Sequence, residues 1–204
     1  MARYNCCDKG GRMAKMGYYF NQTACIGCKT CQIACKDKND LRVGLLFRHV
    51  RDFEVGKYPN ARVYHHSSTC NHCESPACVA ACPNGSMYID DADGTVQHDY
   101  SKCIGCQYCV QACPYGVPTY DEEFGQAIKC DACIELRANG EQPACVAACP
   151  MRALEFGPIS ELEEKHPDAV RAMAILPEPT KTHPCTIIDV KSSALDPDYV
   201  EVML

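Results

Sequence analysis

The sequence has no tryptophan and no long apolar stretch. A helix that spans a bilayer needs about 18 or more consecutive apolar residues, so we expect no direct membrane span. Residues 1–15 are polar and basic, with neither an apolar segment nor adjacent arginines, so we expect no signal peptide there. The formal net charge is −6 and there is no basic stripe, which argues against a nucleic-acid partner. These absences leave cysteine as the residue type that carries functional information.

Cysteine occurs 19 times, and sixteen of these residues fall into four groups, which we number quartets one to four in chain order. Quartets one and three share the spacing Cys-x2-Cys-x2-Cys-x3-Cys, and one spacer is longer in quartets two and four. The quartets are Cys25, Cys28, Cys31 and Cys35; Cys70, Cys73, Cys78 and Cys82; Cys103, Cys106, Cys109 and Cys113; and Cys130, Cys133, Cys145 and Cys149. This spacing is typical of bacterial ferredoxins, so it predicts four [4Fe–4S] clusters and electron transfer.

The spacing suits a cubane better than it suits the alternatives. Three cysteines separated by two residues can surround one cube from a tight loop, and in two-cluster ferredoxins the fourth binds the other cluster. Gly27 and Gly105 lie inside two of these loops, where glycine tolerates unusual backbone angles. Disulfide frameworks are typical of small secreted domains, and structural zinc sites use separated cysteine pairs. Triplets of cysteines therefore disfavour both alternatives.

Three cysteines lie outside the quartets, and several basic residues lie within or beside them. Cys6, Cys7 and Cys185 have no assigned role, and we interpret Cys6 and Cys7 as free thiols. An oxidised cluster with four thiolates carries a charge of about −2, which nearby cations must offset. The candidate cations are Lys29, Lys36, Lys102, Lys129 and Arg152. We expect much of the folding free energy to come from cluster binding.

The chain also contains an internal repeat. The sequence PACVAACP occurs at 76–83 and at 143–150, and Cys-Ile-Gly-Cys occurs at 25–28 and at 103–106. Because the two quartet types alternate, the order indicates a duplicated bacterial two-cluster ferredoxin-like fold. We therefore predict an α+β fold with short strands, short helices and long loops.

Short elements are expected between the quartets. Alternating residues and a glycine turn predict strands at 17–21, 61–65, 86–89, 95–97 and 153–156. Helical turns are expected before the last cysteine of each quartet, and a longer helix over 159–166, where Ser160 and Glu163 form a capping-box pattern. The expected divisions are an N-terminal extension (1–16), a four-cluster body (17–176) and an extended C-terminal tail (177–204).

Residues between the cysteines narrow the choice among ferredoxin-like proteins. The most specific motifs are Cys70-Asn71-His72-Cys73-Glu74, Cys113-Pro114-Tyr115-Gly116, Cys149-Pro150-Met151-Arg152-Ala153-Leu154 and Phe156-Gly157-Pro158-Ile159. With these motifs, the chain from about residue 17 to 177 resembles the iron–sulfur (B) subunits of the dimethyl sulfoxide reductase family. Some relatives lack cysteine at the position of Cys106 and hold a three-iron cluster, whereas this chain keeps the cysteine.

The resemblance implies that quartet one is joined to quartet four, and quartet two to quartet three. We call the implied ligand groups sets one to four. They are Cys25, Cys28, Cys31 and Cys149 (set one); Cys35, Cys130, Cys133 and Cys145 (set two); Cys70, Cys73, Cys78 and Cys113 (set three); and Cys82, Cys103, Cys106 and Cys109 (set four). In the family, cluster one faces the catalytic partner and cluster four faces the membrane.

The resemblance also implies partners and a location. Family members are non-catalytic subunits that relay electrons between a quinol-linked membrane anchor and a molybdopterin catalytic subunit containing molybdenum or tungsten. We therefore expect a peripheral position in a membrane-associated complex. Co-export with the catalytic subunit implies the outer face of the bacterial cytoplasmic membrane, with the cytoplasmic face as the alternative. The terminal substrate and the direction of electron flow stay open, because this subunit does not contact the substrate.

Other functions also fit the quartets. The alternatives are a soluble polyferredoxin, a relay subunit of a formate dehydrogenase or hydrogenase, and a regulatory or structural zinc protein. An enzyme is not expected, because the sequence shows no nucleophile–base pair, phosphate loop or open metal position. His72 lies inside quartet two, where it either donates to a cluster sulfur or, in the favoured interpretation, packs as an ordinary surface histidine.

Overall fold

A computed structural model of the protein describes residues 14–203. Its strands are β1 (Met16–Asn21), β2 (His49–Val55), β3 (Arg62–Ser68), β4 (Met87–Ile89), β5 (Val96–His98), β6 (Thr119–Asp121), β7 (Gln126–Ile128), β8 (Leu154–Pro158), β9 (Thr186–Asp189) and β10 (Tyr199–Val202). Its α-helices are α1 (Thr30–Lys38), α2 (Ala77–Ala80), α3 (Tyr108–Ala112), α4 (Ile134–Ala138), α5 (Ala144–Ala147) and α6 (Ile159–Lys165). Short 3₁₀ turns lie at Tyr100–Lys102, Pro179–Lys181 and Ser192–Leu195. Within the described residues, no helix has the length and apolar character needed to cross a bilayer.

The first sheet has β1 in its centre. β1 pairs antiparallel with β8 and parallel with β9. Its residues are buried on both faces because the strand separates two apolar clusters. Tyr18 and Phe20 face the main core, whereas Tyr19 packs with Ile159 and Leu162 of α6. The sheet thereby positions the segment that enters quartet one and the segment that leaves quartet four.

The second sheet has the order β10-β2-β3, and all its pairs are antiparallel. Phe53 and Tyr64 lie opposite each other in the β2–β3 register, with ring centroids 5.1 Å apart, and stack in the same main core. Such cross-strand aromatic pairs stabilise a sheet beyond the effect of burial alone. This sheet covers the side of the core that carries α1.

Two small hairpins form the rest of the strand structure. β4 pairs with β5 and β6 pairs with β7, each over three residues per strand. The core beneath them is small, with Cys78, Met87, Val96, Cys109 and Ala127 as its buried members. The hairpins therefore frame quartets two and three without a large apolar core.

The α+β prediction is confirmed, as are the five predicted strands within one to three residues of each boundary. The helical turns before Cys35, Cys82, Cys113 and Cys149 are present as α1, α2, α3 and α5. The capping box is wrong, because α6 begins at Ile159 after Pro158 and no side chain caps its N-terminus. The sequence did not indicate β2, β6, β7, β9 or β10. Cys6 and Cys7 lie outside the described residues.

Candidate iron–sulfur centres

The last two cysteines of every quartet are four residues apart and lie on, or directly after, a short helix. These pairs are Cys31 and Cys35, Cys78 and Cys82, Cys109 and Cys113, and Cys145 and Cys149. Residues four apart on a helix share one face and are separated by about 6 Å along its axis. Each helix therefore presents two thiols, one above the other, at neighbouring positions.

Three of the four implied ligand sets line one pocket each. The three pockets have similar volumes of about 20 Å³ each. In each pocket three cysteines come from one quartet and the fourth comes from a different quartet. The similar volumes indicate occupants of one kind.

The set two cysteines are brought together deeper in the protein. Burial raises the pKa of Cys35, and the neighbouring thiols of Cys130, Cys145 and Cys133 raise it further. Cys130 also raises the pKa of Cys70, which belongs to set three. Set two therefore lies next to set three, and it shares α1 and α5 with set one.

Backbone geometry at the quartets fits [4Fe–4S] clusters. Gly27 and Gly105 occupy equivalent positions and both have φ +69°, and the next matching pair, Lys29 and Gln107, has φ 61° and 63°. A Cβ atom at Gly27 would lie 2.5 Å from the His65 ring, so the loop admits only glycine without movement. Left-handed residues bend the loop so that its cysteines converge on one centre.

Backbone N–H groups also point at several sulfurs. Ala132 N donates to Cys130 Sγ and Ala153 N donates to Cys149 Sγ, both at 3.3 Å, while Met87 N lies 3.5 Å from Cys82 Sγ. Such hydrogen bonds offset the negative charge of cluster thiolates and tune their potentials. None of the seventeen described cysteines forms a disulfide.

Most of these thiols are buried, and burial opposes their ionisation. Burial raises the pKa of Cys70 to about 12, and the pKa values of Cys78 and Cys133 to about 11. Cys28 is the exception, because it is exposed and the hydrogen bond from the Thr30 hydroxyl lowers its pKa. Since cluster ligands are thiolates, the bound iron has to supply the stabilising charge and assembly has to release protons.

Of the five candidate cations, Lys129 is the one buried beside the thiols. It is 2% exposed and lines the set three pocket, and its ammonium group donates to the carbonyl oxygens of Val96 and Cys130. Its charge lowers the pKa of Cys70 and Cys78, against the larger effect of burial. This position confirms Lys129 as a cation near the sulfurs.

The other candidates form ion pairs or hydrogen bonds with oxygen atoms, and Lys29 also lines the set one pocket. Lys29 forms an ion pair with Asp52 at 2.9 Å, and Lys102 forms one with Asp99 at 2.8 Å. Lys36 and Arg152 donate to backbone carbonyl groups. Arg48 was missed, although it is 2% exposed and its charge acts on Cys145, Cys31 and Cys130. No sequence signal could have found it, because it lies far from each quartet along the sequence.

The structure also shows where His72 and Cys185 lie. His72 is fully buried, so the surface interpretation is wrong; its Nδ1 accepts a hydrogen bond from Val96 N at 3.1 Å. Burial, followed by the charges of Lys129 and Arg137, lowers the pKa of His72 well below its usual value. Cys185 is fully buried, and burial raises the pKa of its thiol to about 12, so it stays protonated outside every ligand set.

Comparison with known proteins agrees with this geometry. Residues 61–159 match a model described as a 4Fe-4S dicluster domain, and residues 22–39 match a 4Fe-4S binding domain. The (B) subunit of the anaerobic dimethyl sulfoxide reductase of Escherichia coli (strain K12) is 44% identical over 180 residues, covering 84% of this chain and 87% of the relative. The protein belongs to the family of dimethyl sulfoxide reductase iron–sulfur subunits.

Other similar proteins serve different reactions. The sulfite dehydrogenase (B) subunit of Allochromatium vinosum is 34% identical over 180 residues, covering 78% of this chain and 75% of the relative. The thiosulfate reductase electron transfer subunit of Salmonella typhi is 42% identical over 146 residues, covering 70% of this chain and 76% of the relative. As a member of this family, the protein is a non-catalytic electron-transfer subunit, and it binds [4Fe–4S] clusters.

Proposed function

We propose that this chain relays electrons along four [4Fe–4S] clusters between a molybdopterin catalytic subunit and a membrane anchor that exchanges electrons with quinol. Each of sets one to four holds one cluster, with set one facing the catalytic subunit and set four facing the anchor. The observation that carries the proposal is that cysteines from two different quartets surround one pocket in sets one, three and four.

Contacts between neighbouring sets support one continuous path. Sets one and two share α1 and α5, because each helix carries a cysteine for both sets. Sets two and three adjoin at Lys129, which precedes Cys130 in the sequence and lines the set three pocket, and sets three and four share α2 and α3, because each of these helices carries or adjoins a cysteine of both sets. These shared elements support the order one, two, three, four.

The two ends of this path lie at the surface. Ile26, beside the set one pocket, is 56% exposed, and its counterpart Ile104 beside the set four pocket is 63% exposed. All four set two cysteines are buried, as are Cys70 and Cys78 of set three. Exposed apolar residues at both ends suit two docking partners, one for each terminal cluster.

Local likeness between the quartets supports duplication of a two-cluster unit. The repeated PACVAACP sequence forms α2 and α5, and both helices begin directly after the first proline. We infer a body of two units at 17–176, with quartets one and four in one unit and quartets two and three in the other. The segment 177–204 contributes β9 to one sheet and β10 to the other.

The relatives identified above are subunits of enzymes named for dimethyl sulfoxide, sulfite and thiosulfate. We infer that the catalytic partner of this chain acts on a substrate of that general kind and that it, not this chain, contacts the substrate. The complex lies peripherally at the membrane, on the outer face if the catalytic subunit carries this chain through the export pathway.

Iron analysis and paired cysteine variants test the proposal. The anaerobically purified complex is expected to contain about 16 iron atoms and as much inorganic sulfide per chain, from four clusters of four irons. Cys106→Ser is expected to remove or convert the set four cluster alone and to stop quinol-driven turnover while artificial donors still support activity. Cys28→Ser is the matched variant at the opposite end, and it is expected to change a different paramagnetic signal.

Three results would contradict the proposal. Equal loss of activity with quinol and artificial donors in Cys106→Ser would reject the assigned order. Loss of the same signal in both variants would reject the ligand sets. About four zinc atoms per chain, with negligible sulfide, would reject clusters altogether.

A further inference from the structure

A separate cavity lies between the two three-stranded sheets. Its volume is about 270 Å³, and its wall includes side chains from β1, β2, β3, β8 and β9 together with the loop 171–177. No cysteine lines it, although it shares wall residues with the set one pocket, such as Leu154, and with the set three pocket, such as Tyr115. This is far more than the roughly 10–15 Å³ that one water molecule requires by the same measure, so the cavity has room for several waters, or for a small ion with a few waters.

The wall of this cavity is rich in buried polar atoms that have no hydrogen-bond partner among residues 14–203. They are Tyr18 Oη, Arg48 Nε and Nη2, Arg51 Nε, His66 Nδ1, Arg171 Nε and Thr186 Oγ1. Four of these seven atoms are guanidinium nitrogens, which donate and never accept. A buried donor left without an acceptor is unfavourable, so the wall favours an occupant that accepts hydrogen bonds.

Arg48 is the residue that defines the chemistry of this occupant. It is 2% exposed, and no carboxylate of the described residues lies within 4.0 Å of it. Its Nη1 donates to Ser67 Oγ at 3.0 Å, which leaves the opposite edge, Nε and Nη2, unpaired. That edge is the two-donor fork with which arginine binds carboxylate, phosphate or sulfate oxygens.

Two more arginines add positive charge to the same wall. Arg171 is paired with Glu163 at 2.5 Å, and Arg51 Nε lies 3.6 Å from Glu201. Arg51 and Arg171 therefore each have a carboxylate nearby, whereas Arg48 has none of the described residues' carboxylates within 4.0 Å and interacts electrostatically with the thiols of Cys145, Cys31 and Cys130. Burial, and then the charges of Arg51 and Arg48, lowers the pKa of His66 to about 3, so its imidazole is neutral at pH 7.

We propose that this cavity is a binding site for one small oxyanion of the sulfate or phosphate class. The free edge of Arg48 binds two of its oxygens, and Arg51, Arg171, Tyr18 and Thr186 supply further donors. The thiols of Cys31, Cys130 and Cys145 interact electrostatically with Arg48. A bound anion therefore partly cancels this cation and moves the potentials of the clusters in sets one and two to more negative values.

Sulfate binding to the cluster-loaded complex tests the proposal. Equilibrium dialysis with radiolabelled sulfate, at constant ionic strength set with chloride, is expected to give one saturable site per chain for which phosphate competes. Redox titration of the same sample with and without sulfate is expected to shift a set one or set two signal to a more negative potential. Crystals of the complex soaked in selenate are expected to show one anomalous peak beside Arg48.

Conservative variants identify the site. Arg51→Gln and Thr186→Val each remove one donor, and each is expected to weaken sulfate binding about tenfold, which corresponds to about 1.4 kcal/mol. Arg48→Gln is expected to abolish binding, and its visible spectrum shows whether the clusters are retained. Arg62→Gln is the matched control, because Arg62 lies on β3 outside the cavity with a side chain that is 60% exposed.

Several outcomes would overturn the proposal. No saturable sulfate site at concentrations up to about 10 mM, well above a dissociation constant of 1 mM, would mean that the cavity holds water only. Sulfate binding that survives Arg51→Gln and Thr186→Val unchanged would place the anion elsewhere. If Arg48→Gln shifts the reduction potential of a cluster but the parent protein binds no sulfate, Arg48 is only a counter-ion of the clusters.

Discussion

The half of the molecule around quartets one and four differs from the half around quartets two and three in how it is held together. The first, which we call the sheet half, contains both three-stranded sheets and the main core with Phe20, Phe53, Tyr64 and Phe156. The second, the hairpin half, has two hairpins of three-residue strands and its own cluster of five buried residues, and only Ile128 of β7 reaches the main core from these strands. Two of those five are ligand cysteines, so its apolar core alone is very small.

This difference separates two sources of stability. Isolated two-stranded hairpins are at best marginally stable in water, and a fold needs a hydrophobic face to hold them. The sheet half has such a face without the clusters, whereas the hairpin half surrounds its clusters with little else. Cluster binding free energy is therefore expected to act as folding free energy mainly in the hairpin half.

Removal of the clusters is expected to have the largest effect and to affect the halves unequally. In chelator-treated protein, amides of β4 to β7 are expected to lose all protection from hydrogen exchange, because their core consists largely of the lost cluster surroundings. Amides of β1 and β2 are expected to keep measurable protection. Hydrogen exchange followed by mass spectrometry, with the loaded protein as control, measures both. Equal loss of protection throughout the chain would show that neither half folds without iron.

The glycine pair Gly27 and Gly105 offers a sharper test of the same comparison. Both residues have φ +69°, so alanine costs about 1–2 kcal/mol in backbone strain at either position. The added Cβ at Gly105 meets the backbone oxygen of Gly125 at 2.3 Å, in the turn between β6 and β7. At Gly27 it meets the His65 side chain, which can swing away if its 2.7 Å contact with Asp52 breaks.

Gly105→Ala is therefore expected to lose the set four cluster, about four irons per chain, whereas Gly27→Ala keeps all clusters and changes only the set one signal. Iron analysis and low-temperature paramagnetic resonance distinguish these outcomes. Gly140→Ala is the control, because Gly140 has φ +78° but no atom within 4 Å of the added Cβ. If the control also lost iron, backbone strain alone would explain the loss of the cluster in Gly105→Ala.

The contrast between the halves could be predicted from sequence only in part. The cysteine spacing predicted the ligand type, and helical turns were predicted before the last cysteine of each quartet, where α1, α2, α3 and α5 lie, because both depend on local chain geometry. β9 and β10 escaped prediction because a proline-rich segment with little periodicity becomes a strand only when β1 and β2 offer free edges. Arg48 escaped for the same reason, since its environment is assembled from residues distant in sequence.

Acidification is expected to have the smallest effect on stability. In this case the sheet half, and not the hairpin half, is expected to be the more sensitive. Burial lowers the pKa of His66 in the sheet half to about 3 and that of His98 in the hairpin half to about 4. In the unfolded state the pKa of histidine is about 6.5. Below that pH the unfolded state binds a proton that the folded state does not, so the free energy of unfolding decreases as the pH is lowered. The loss continues down to the folded pKa of each histidine.

For the fully buried His66 the loss is about 1.4 kcal/mol per pH unit, and it is smaller for the partly exposed His98 because solvent screens its charge. His66→Gln should therefore flatten the dependence of stability on pH between about pH 6.5 and 5 more than His98→Gln does. Denaturant unfolding of the loaded protein, followed by near-ultraviolet circular dichroism, measures both slopes. A larger change of slope in His98→Gln than in His66→Gln would mean that the hairpin half opposes the protonation of its buried histidine more strongly than its small core suggests. The weaker stability proposed for that half would then apply only to the loss of clusters.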